Sequence, residues 1–381
     1  MIPANIEDYR QLAQQRLPKF LFEYIDGGAF SETTLRNNCS DMQNISLRQR
    51  VLKDISTVDT RCELFGKQYD LPVVLAPVGI AGLNARRGEV LAAQAAQEKN
   101  VPFCLSTVSA CSIEEVRQGV SDPIWFQLYM IKDRGFIKSM LERAKAAGSK
   151  TLMLTVDMPV PSSRYRDIRS GLSGGSMLRR QSARFFQSVL RPHWAWDVGV
   201  MGRPHNLGNV APVLGDKAGI DDFWAWLNKN FDPSVTWETI EEIRSNWDGD
   251  LIIKGILDAE DAREAIKVGA DGIIVSNHGG RQLDGALSSI KALPAIADAI
   301  QGDIKILLDS GIRSGLDIVR SLALGADAVM IGRPWVYGLA AGKKQGVLDV
   351  LNILEKEMHV ALALTGCNNL HQANRDIIAS V

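Results

Sequence analysis

The segment VSNHGGRQLDG, residues 275–285, brings together residue types that could carry acid–base and anion-binding chemistry. An apolar run typical of a buried strand ends at Asn277 and His278, two glycines follow, and Arg281 comes three residues after the histidine. A neutral imidazole can accept a proton, and a guanidinium can bind an anion with two hydrogen bonds. The spacing therefore predicts a base beside an anion clamp, although an isolated histidine could equally be a hydrogen-bonded structural residue.

A second segment, DSGIRSGLDIVRSLALGADAVMIGR at residues 309–333, carries the residue types of a phosphate-binding site. Gly311 and Gly332 would let backbone amides approach a ligand closely, and Arg313 and Arg333 would supply positive charge. Many proteins that bind phosphorylated substrates or flavin mononucleotide (FMN) would show a similar pattern. The segment therefore predicts a phosphate-bearing ligand but does not identify it.

The elements that must position these residues form a regular alternation from about residue 71 onwards. Eight short apolar runs, each followed by a longer segment, lie at residues 71–77, 102–107, 124–129, 151–157, 251–255, 271–277, 304–311 and 327–333. Apolar strands that alternate with helices are typical of parallel βα units. Eight such units most economically close into a (β/α)₈ TIM barrel. A doubly wound open sheet is the alternative.

Two parts of the chain lie outside this alternation. Residues 1–70 precede the first strand and are predicted to be helical, and a long insertion occupies residues 158–235, after the fourth strand. We interpret residues 1–381 as a single domain whose barrel covers residues 71–366, because one α/β barrel with extensions accounts for this length.

Polar or small residues mark the end of nearly every predicted strand. They are Ala76, Pro77, Val78 and Gly79 after the first, Ser106 after the second, Gln127 and Tyr129 in the third, Thr155 and Asp157 at the fourth, Lys254 in the fifth, Ser276 and His278 after the sixth, Asp309 after the seventh, and Gly332 and Arg333 after the eighth. Each could be an ordinary turn or core residue when taken singly. Since the carboxyl ends of barrel strands share one face, their convergence predicts an active site there.

Lys254 can be read in two ways. A lysine that points into a phosphate-binding site could be a Schiff-base nucleophile, as in an aldolase. It could instead neutralise negative charge on a reduced flavin ring, with Ser106, Gln127, Thr155 and Ser276 supplying hydrogen bonds to that ring. The number of small donors and acceptors favours the flavin.

The composition excludes several other classes of protein. A formal net charge of −1 gives no global reason to expect binding of nucleic acid, which would leave an excess of basic residues. The five cysteines form no CxxC pair, which is typical of reduced thiols and predicts neither a disulfide framework nor a metal site. The sequence contains no run of about 18 apolar residues that could span a membrane, and its first residues do not resemble a signal peptide.

The combined motifs closely resemble the FMN-dependent α-hydroxy-acid oxidising family. The resemblance is carried by FEYIDGGA, LAPVG, STVS, WFQLY, TVDMPVPSSRYRD, IIKGI, SNHGGRQLDG, DSGIRSG and IGRP, and it extends over the whole chain. Within the family, the sequence is most similar to the bacterial, quinone-linked, membrane-associated L-lactate dehydrogenases. The resemblance implies a bound FMN and a homotetramer.

The resemblance also implies a role for each matching residue. His278 would be the base, and Asp157 would stabilise its protonated form. Tyr24, Tyr129, Arg164 and Arg281 would bind the substrate. Contacts to FMN would come from Ala76, Pro77, Val78, Gly79, Ser106, Gln127, Thr155, Lys254, Ser276, Asp309, Gly311, Arg313, Gly332 and Arg333.

The expected reaction is the oxidation of L-lactate to pyruvate, with electrons passing through FMN to a membrane quinone. The α-hydrogen would leave as a proton or as a hydride, and both routes need the same residues. An oxygen-dependent oxidase of lactate or glycolate is the alternative, but Gly79 favours a dehydrogenase because family oxidases commonly have alanine there. A flavin-binding scaffold without turnover and a phosphate-dependent aldolase or isomerase are further alternatives.

The middle of the insertion, residues 177–203, is expected to touch the membrane. Arg179, Arg180, Arg184 and Arg191 are interleaved with aromatic and aliphatic side chains, and Asp197 is the only acid. This composition is typical of protein segments that lie at the surface of an anionic bilayer. A solvated lid or a subunit contact would have a similar composition. We therefore expect a peripheral protein on the cytoplasmic face of the bacterial inner membrane.

Overall fold

Eight parallel strands form the centre of the fold. A computed structural model describes residues 2–202, 207–215 and 219–380. The strands are β1 Val73–Leu75, β2 Cys104–Ser106, β3 Trp125–Tyr129, β4 Thr151–Thr155, β5 Asp250–Ile256, β6 Gly272–Val275, β7 Lys305–Leu308 and β8 Ala328–Ile331. From β2 to β8 each strand pairs with the next along the chain, and β8 pairs with β1. A parallel bridge between Leu75 and Phe103 joins β1 to the start of β2, so the predicted barrel is confirmed and the open sheet is wrong.

The strands are apolar on both faces because both faces are covered. Ile252, Ile274 and Leu307 belong to a cluster that fills the barrel interior. Leu251 and Ile253, the neighbours of Ile252 on β5, belong instead to the larger core outside the sheet. Successive side chains of a strand point to opposite faces, so near-continuous apolar runs are what a helix-covered barrel requires.

Helices surround the barrel, and further helices lie in the N-terminal part of the chain and in the insertion after β4. They are α1 Ile6–Arg16, α2 Lys19–Asp26, α3 Thr33–Asn44, α4 Gly88–Glu98, α5 Ile113–Gln118, α6 Arg134–Ala146, α7 Tyr165–Ser170, α8 Met177–Val189, α9 Pro192–Trp194, α10 Ala211–Leu214, α11 Ile220–Asn230, α12 Trp237–Ser245, α13 Ala259–Lys267, α14 Ser289–Ile300, α15 Gly315–Ala323 and α16 Arg333–Thr365. A non-helical residue, Lys343, interrupts α16. Short 3₁₀ helices lie at Ala81–Leu83, Leu370–Gln372 and Arg375–Ile377, and a π-helix lies at Ala195–Val200.

The prediction that residues 1–70 are helical is correct only as far as Asn44. Beyond it, the antiparallel strands Cys62–Leu64 and Lys67–Tyr69 form a hairpin, and Ser46–Leu47 pairs with Ile378–Ser380 near the carboxyl terminus. Phe65 and Gly66 both have positive φ angles, 51° and 72°, as a two-residue hairpin turn requires. Residues 1, 203–206, 216–218 and 381, which fall within the predicted extensions and insertion, lie outside the described residues.

The insertion differs from expectation in the way it uses its arginines. Arg184 and Arg180 both form ion pairs with Asp221 of α11, and the Arg191 guanidinium donates to the Leu17 carbonyl. Three of the four arginines therefore contact the protein itself, and the expectation of a basic exposed face is wrong for them. The exposed face of α8 is instead apolar, with Leu178, Phe185 and Phe186 each more than 60% exposed.

No helix in the described part of the chain is long and apolar enough to cross a bilayer.

Candidate active site

The predicted site residues gather around one cavity of about 300 Å³ at the carboxyl ends of the strands. Sixteen of the twenty line it: Tyr24, Ala76, Pro77, Val78, Gly79, Tyr129, Thr155, Arg164, Lys254, His278, Arg281, Asp309, Gly311, Arg313, Gly332 and Arg333. The other four, Ser106, Gln127, Asp157 and Ser276, do not line it. Asp157 and Ser276 are hydrogen-bonded to lining residues, and Ser106 and Gln127 are bonded to each other.

His278 and Asp157 form a close pair. The Nδ1 atom of His278 lies 2.8 Å from an Asp157 carboxylate oxygen, and Nε2 has no hydrogen-bond partner among the described residues. The backbone amide of His278 donates to the Ser276 hydroxyl at 3.0 Å, which helps to fix the left-handed φ of 58° at the histidine. Gly255 makes room for the pair, because a Cβ atom there would lie 2.6 Å from the Asp157 Cβ.

The electrostatic surroundings favour a neutral imidazole and an ionised carboxylate. Burial lowers the pKa of His278 below its ordinary value of 6.5, although Asp157 acts in the opposite direction. Burial acts to raise the pKa of Asp157, but the interaction with His278, which includes a hydrogen bond, and the charge of Lys254 outweigh it and hold that pKa below its usual range. An ionised Asp157 accepts a hydrogen bond from Nδ1–H, so Nε2 carries the free lone pair. The pair can therefore act as a base.

Lys254 is held as a charged group. Its Nζ atom lies 2.8 Å from an Asp309 carboxylate oxygen and donates to the Ser276 hydroxyl at 2.8 Å. Burial acts to lower the pKa of Lys254, but Asp309 and Asp157 outweigh it and raise that pKa. A Schiff-base lysine must lose its proton to attack a carbonyl, so the arrangement disfavours an aldolase.

Arg281 and Arg164 place two guanidinium groups at one end of the cavity. Nη1 of Arg281 donates to the carbonyl groups of Tyr24 and Gly27, and the guanidinium lies 4.9 Å from the centre of the Tyr24 ring. Nε of Arg164 donates weakly to the Arg281 carbonyl at 3.4 Å. Burial and the nearby Arg281 lower the pKa of Arg164 to about 10. Two partly buried cations that lie near each other are stabilised by an anion such as a carboxylate.

Arg333 and Arg313 lie at the predicted phosphate end. Arg333 donates to three backbone carbonyl groups, those of Ile25, Gly27 and Gly279. Burial lowers its pKa to about 10. Arg313 donates to the adjacent Ile312 carbonyl. Neither arginine forms an ion pair within the described residues, so both can still be neutralised by a phosphate.

The unpartnered polar atoms suit a heteroaromatic ring. The Gln127 side-chain oxygen accepts from the Ser106 hydroxyl at 3.0 Å, whereas its Nε2 donor is buried and has no partner among the described residues. The Thr155 hydroxyl is likewise buried and unpartnered. Buried polar groups normally have partners, so free donors beside a charged lysine and two arginines fit the ring and phosphate of FMN.

Apart from Arg164, sequence reasoning missed the part of the wall that the insertion supplies. Trp224 and Phe231 line the cavity, and their rings pack edge-on against Tyr24 at 5.7 Å and Tyr129 at 5.8 Å between centroids. Their segment, DDFWAWLNKNF, has the apolar spacing of an ordinary amphipathic helix. That spacing shows that one face is buried, but not what the face contacts.

Comparison with known proteins agrees with this geometry. The model of the FMN-dependent dehydrogenase family matches residues 13–380. The chain therefore belongs to that family: it is an enzyme, an oxidoreductase that uses FMN.

Similar proteins include an L-lactate dehydrogenase of Actinobacillus pleuropneumoniae serotype 5b (strain L20), 58% identical over 100% of this chain and 99% of that protein. An L-lactate dehydrogenase of Acinetobacter baumannii (strain AYE) is 57% identical over 99% of this chain and 98% of its own length. Among solved structures, the monotopic membrane protein (S)-mandelate dehydrogenase superposes with a TM-score of 0.92 at 35% identity and covers all of both chains. A mandelate oxidase with (S)-4-hydroxymandelic acid gives a TM-score of 0.84 at 33% identity, covering 97% of each chain.

We expect His278→Gln to retain FMN but to lose turnover by a factor of about 10² to 10⁴, because glutamine cannot accept the proton. Flavin absorbance of the purified variant measures binding, and steady-state rates measure turnover. His371→Gln is the matched control, since His371 is exposed and distant from the cavity lining. Normal turnover of the His278 variant would show that another group is the base.

The pH dependence follows from the neutral imidazole. Activity is lost as pH falls through the pKa of His278, since the protonated form cannot act as a base, and burial lowers that pKa. We therefore expect the acid limb of kcat/KM to have its midpoint below 6.5. In Asp157→Asn the midpoint should move lower still, because the carboxylate that favours the charged imidazole is removed. A midpoint that moves upward in this variant would contradict the assignment.

Proposed function

We propose that this enzyme oxidises L-lactate to pyruvate and passes the electrons to a membrane quinone. The observation that carries the proposal is the neutral His278, paired with Asp157, in the same cavity as the partly buried Arg164 and Arg281. A 2-hydroxy acid has the two features that such a site can bind: a carboxylate and an adjacent carbon that carries a hydroxyl and a hydrogen. The lactate dehydrogenases that are 57–58% identical over nearly the whole chain support lactate within this class.

The protein's own residues position the substrate and move the proton. Arg281 and Arg164 bind the carboxylate, since a guanidinium can meet it with two hydrogen bonds. Tyr24 and Tyr129 line the same cavity, and their hydroxyl groups are suited to hydrogen-bond the substrate. Nε2 of His278 takes a proton from the substrate, and the Asp157 carboxylate 2.8 Å from Nδ1 stabilises the imidazolium that forms.

FMN, when bound, would accept the two electrons and the second of the two hydrogens that leave the substrate. The residues suited to hold it divide into two groups: Lys254, Gln127 and Thr155 for the ring, and Arg313 and Arg333 for the phosphate. Gly79 lies at the same wall, where a Cβ atom would be 2.9 Å from a Val108 methyl group and 3.2 Å from the Tyr24 hydroxyl. An alanine at this position would displace its neighbours, so the tight packing supports a role for the glycine. An oxygen-dependent oxidase is the second candidate for this site.

The membrane part of the proposal rests on the exposed apolar face of the insertion. Its side chains are each at least 46% exposed: Met177, Leu178, Phe185, Phe186, Val189, Leu190, Trp196, Val200 and Met201. Large contiguous apolar surfaces on a protein usually mark a partner or a membrane. The similarity to a monotopic membrane protein favours the membrane. We place the enzyme peripherally on the cytoplasmic face of the inner membrane, and a homotetramer stays a prediction.

The half-reaction and the acceptor can be separated by one anaerobic titration. L-Lactate should bleach the flavin absorbance, whereas D-lactate should not. The colour should then return rapidly with a soluble quinone and slowly with air. Rapid return in air with stoichiometric peroxide would instead establish an oxidase, and flavin that stays oxidised with L-lactate would contradict lactate as the substrate.

Membrane contact should depend on the apolar face of α8. We expect the double substitution Phe185→Ser and Phe186→Ser to reduce co-flotation of the enzyme with phosphatidylglycerol–phosphatidylethanolamine vesicles at least tenfold while lactate-dependent flavin reduction is retained. Val51→Ser with Leu52→Ser is the matched control, because these exposed apolar residues lie outside the insertion. Equal losses in both double variants would contradict a specific role for α8.

A further inference from the structure

Helix α11 of the insertion covers the part of the cavity that lies nearest the two tyrosines. Phe223, Trp224 and Leu227 line the cavity from this helix, and Phe231, the residue that follows it, lines the cavity as well. Trp224 packs against Tyr24 at 5.7 Å, with the two ring planes at 65°. The Arg281 guanidinium lies over the Tyr24 ring, so Trp224 borders the carboxylate end of the cavity and not its phosphate end.

The indole N–H of Trp224 is an unusual feature of this wall. The Nε1 atom is buried and has no hydrogen-bond partner among the described residues. Buried indole N–H groups usually find a partner within the protein. Because Trp224 also lines the cavity, a bound ligand or water there is the natural source of the missing partner.

The position of Trp224 matters because the other substituents of the substrate are already accounted for. Arg281 and Arg164 hold the carboxylate, and His278 must lie near the hydroxyl and the hydrogen of the reacting carbon. The remaining substituent must therefore face the rest of the wall. Trp224, Val108 and Met158 are apolar members of that wall.

We propose that Trp224 is a specificity-determining residue that limits the size of the substituent on the hydroxyl-bearing carbon. The inference rests on the proposed function, because it assumes that a 2-hydroxy acid occupies the cavity. The indole takes up space beside Tyr24 that a larger substituent would need. A methyl group fits in what remains, whereas a branched or aromatic group meets the ring.

The same helix provides a matched control. Trp226 lies two residues further along α11 and packs against Phe136 of α6 at 5.4 Å, and it does not line the cavity. Replacing either tryptophan removes the same side chain from the same helix. Only Trp224 should affect which substrate is used.

The experiment compares Trp224→Ala, Trp224→Phe and Trp226→Ala with the parent enzyme. The readout is the ratio of kcat/KM for (S)-mandelate or L-2-hydroxyisovalerate to that for L-lactate. We expect Trp224→Ala to raise this ratio about 10- to 200-fold, the range that small volume changes in apolar pockets produce. Trp224→Phe should raise it less, and Trp226→Ala should leave it unchanged.

Binding without turnover gives a second measurement. The flavin difference spectrum reports the Kd of phenylglyoxylate and of pyruvate, and the ratio of the two should shift in the same direction in Trp224→Ala. If that variant does not fold, Trp224→Phe and Trp224→Leu carry the test. An unchanged ratio in every folded Trp224 variant, or an equal change in Trp226→Ala, would overturn the inference. If none of these 2-hydroxy acids reduces the flavin of the parent enzyme, the proposed function itself fails.

Discussion

The structure depends on burying several cationic side chains in one cavity. Arg281, Arg313 and Arg333 form no ion pair within the described residues. Their hydrogen bonds to these residues go to backbone carbonyl groups. Removing a charge from water is costly unless it is paired, so this arrangement is stable only when the surrounding peptide dipoles or bound anions compensate it. The lowered pKa values of Arg164 and Arg333 reflect the same cost, since burial is the largest cause of each. A phosphate at one end of the cavity and a carboxylate at the other would neutralise the remaining positive charge. Ligand binding and folding of the site are therefore coupled.

The same cations explain why the N-terminal extension is part of the active site. Arg281 and Arg333 donate to carbonyl groups of residues 24–27, and thereby hold Tyr24 against the cavity. From the other side, Asp26 accepts hydrogen bonds from Arg10, Arg166 and the Tyr337 hydroxyl. Burial acts to raise the pKa of Asp26, but these donors outweigh it and lower that pKa. A segment that precedes the barrel in sequence is thus fixed to its carboxyl face by charges on both sides.

The sequence predicts the barrel and most of the site because both rest on local patterns. Apolar runs identify the strands, and Gly148, Gly269 and Gly325, which follow the ends of α6, α13 and α15, have the positive φ that glycine readily adopts after a helix. His278 and Lys254 are recognisable because strand ends converge in a barrel.

Local sequence patterns do not predict structure that depends on contacts between distant parts of the chain. The strand Ser46–Leu47 pairs with Ile378–Ser380 near the other end of the chain, and Asp221, the partner of both Arg180 and Arg184, lies about 40 residues away on α11. Trp224 could not be assigned to the cavity because only the path of the insertion brings it there.

The insertion joins two surfaces that would otherwise be unrelated. Its helix α8 exposes Phe185 and Phe186, whereas its helix α11 covers the cavity through Trp224 and Leu227. Asp221 connects the two helices, because it pairs with both Arg180 and Arg184 and lies at the first turn of α11. These partly buried pairs are screened less by salt than exposed ones, so the connection should persist at physiological ionic strength. A protein that rests on a bilayer through α8 would therefore hold α11, and with it the wall of the substrate pocket, in a defined relation to the membrane surface. The insertion therefore carries both the proposed membrane contact, which would bring the enzyme to its quinone, and the proposed specificity residue.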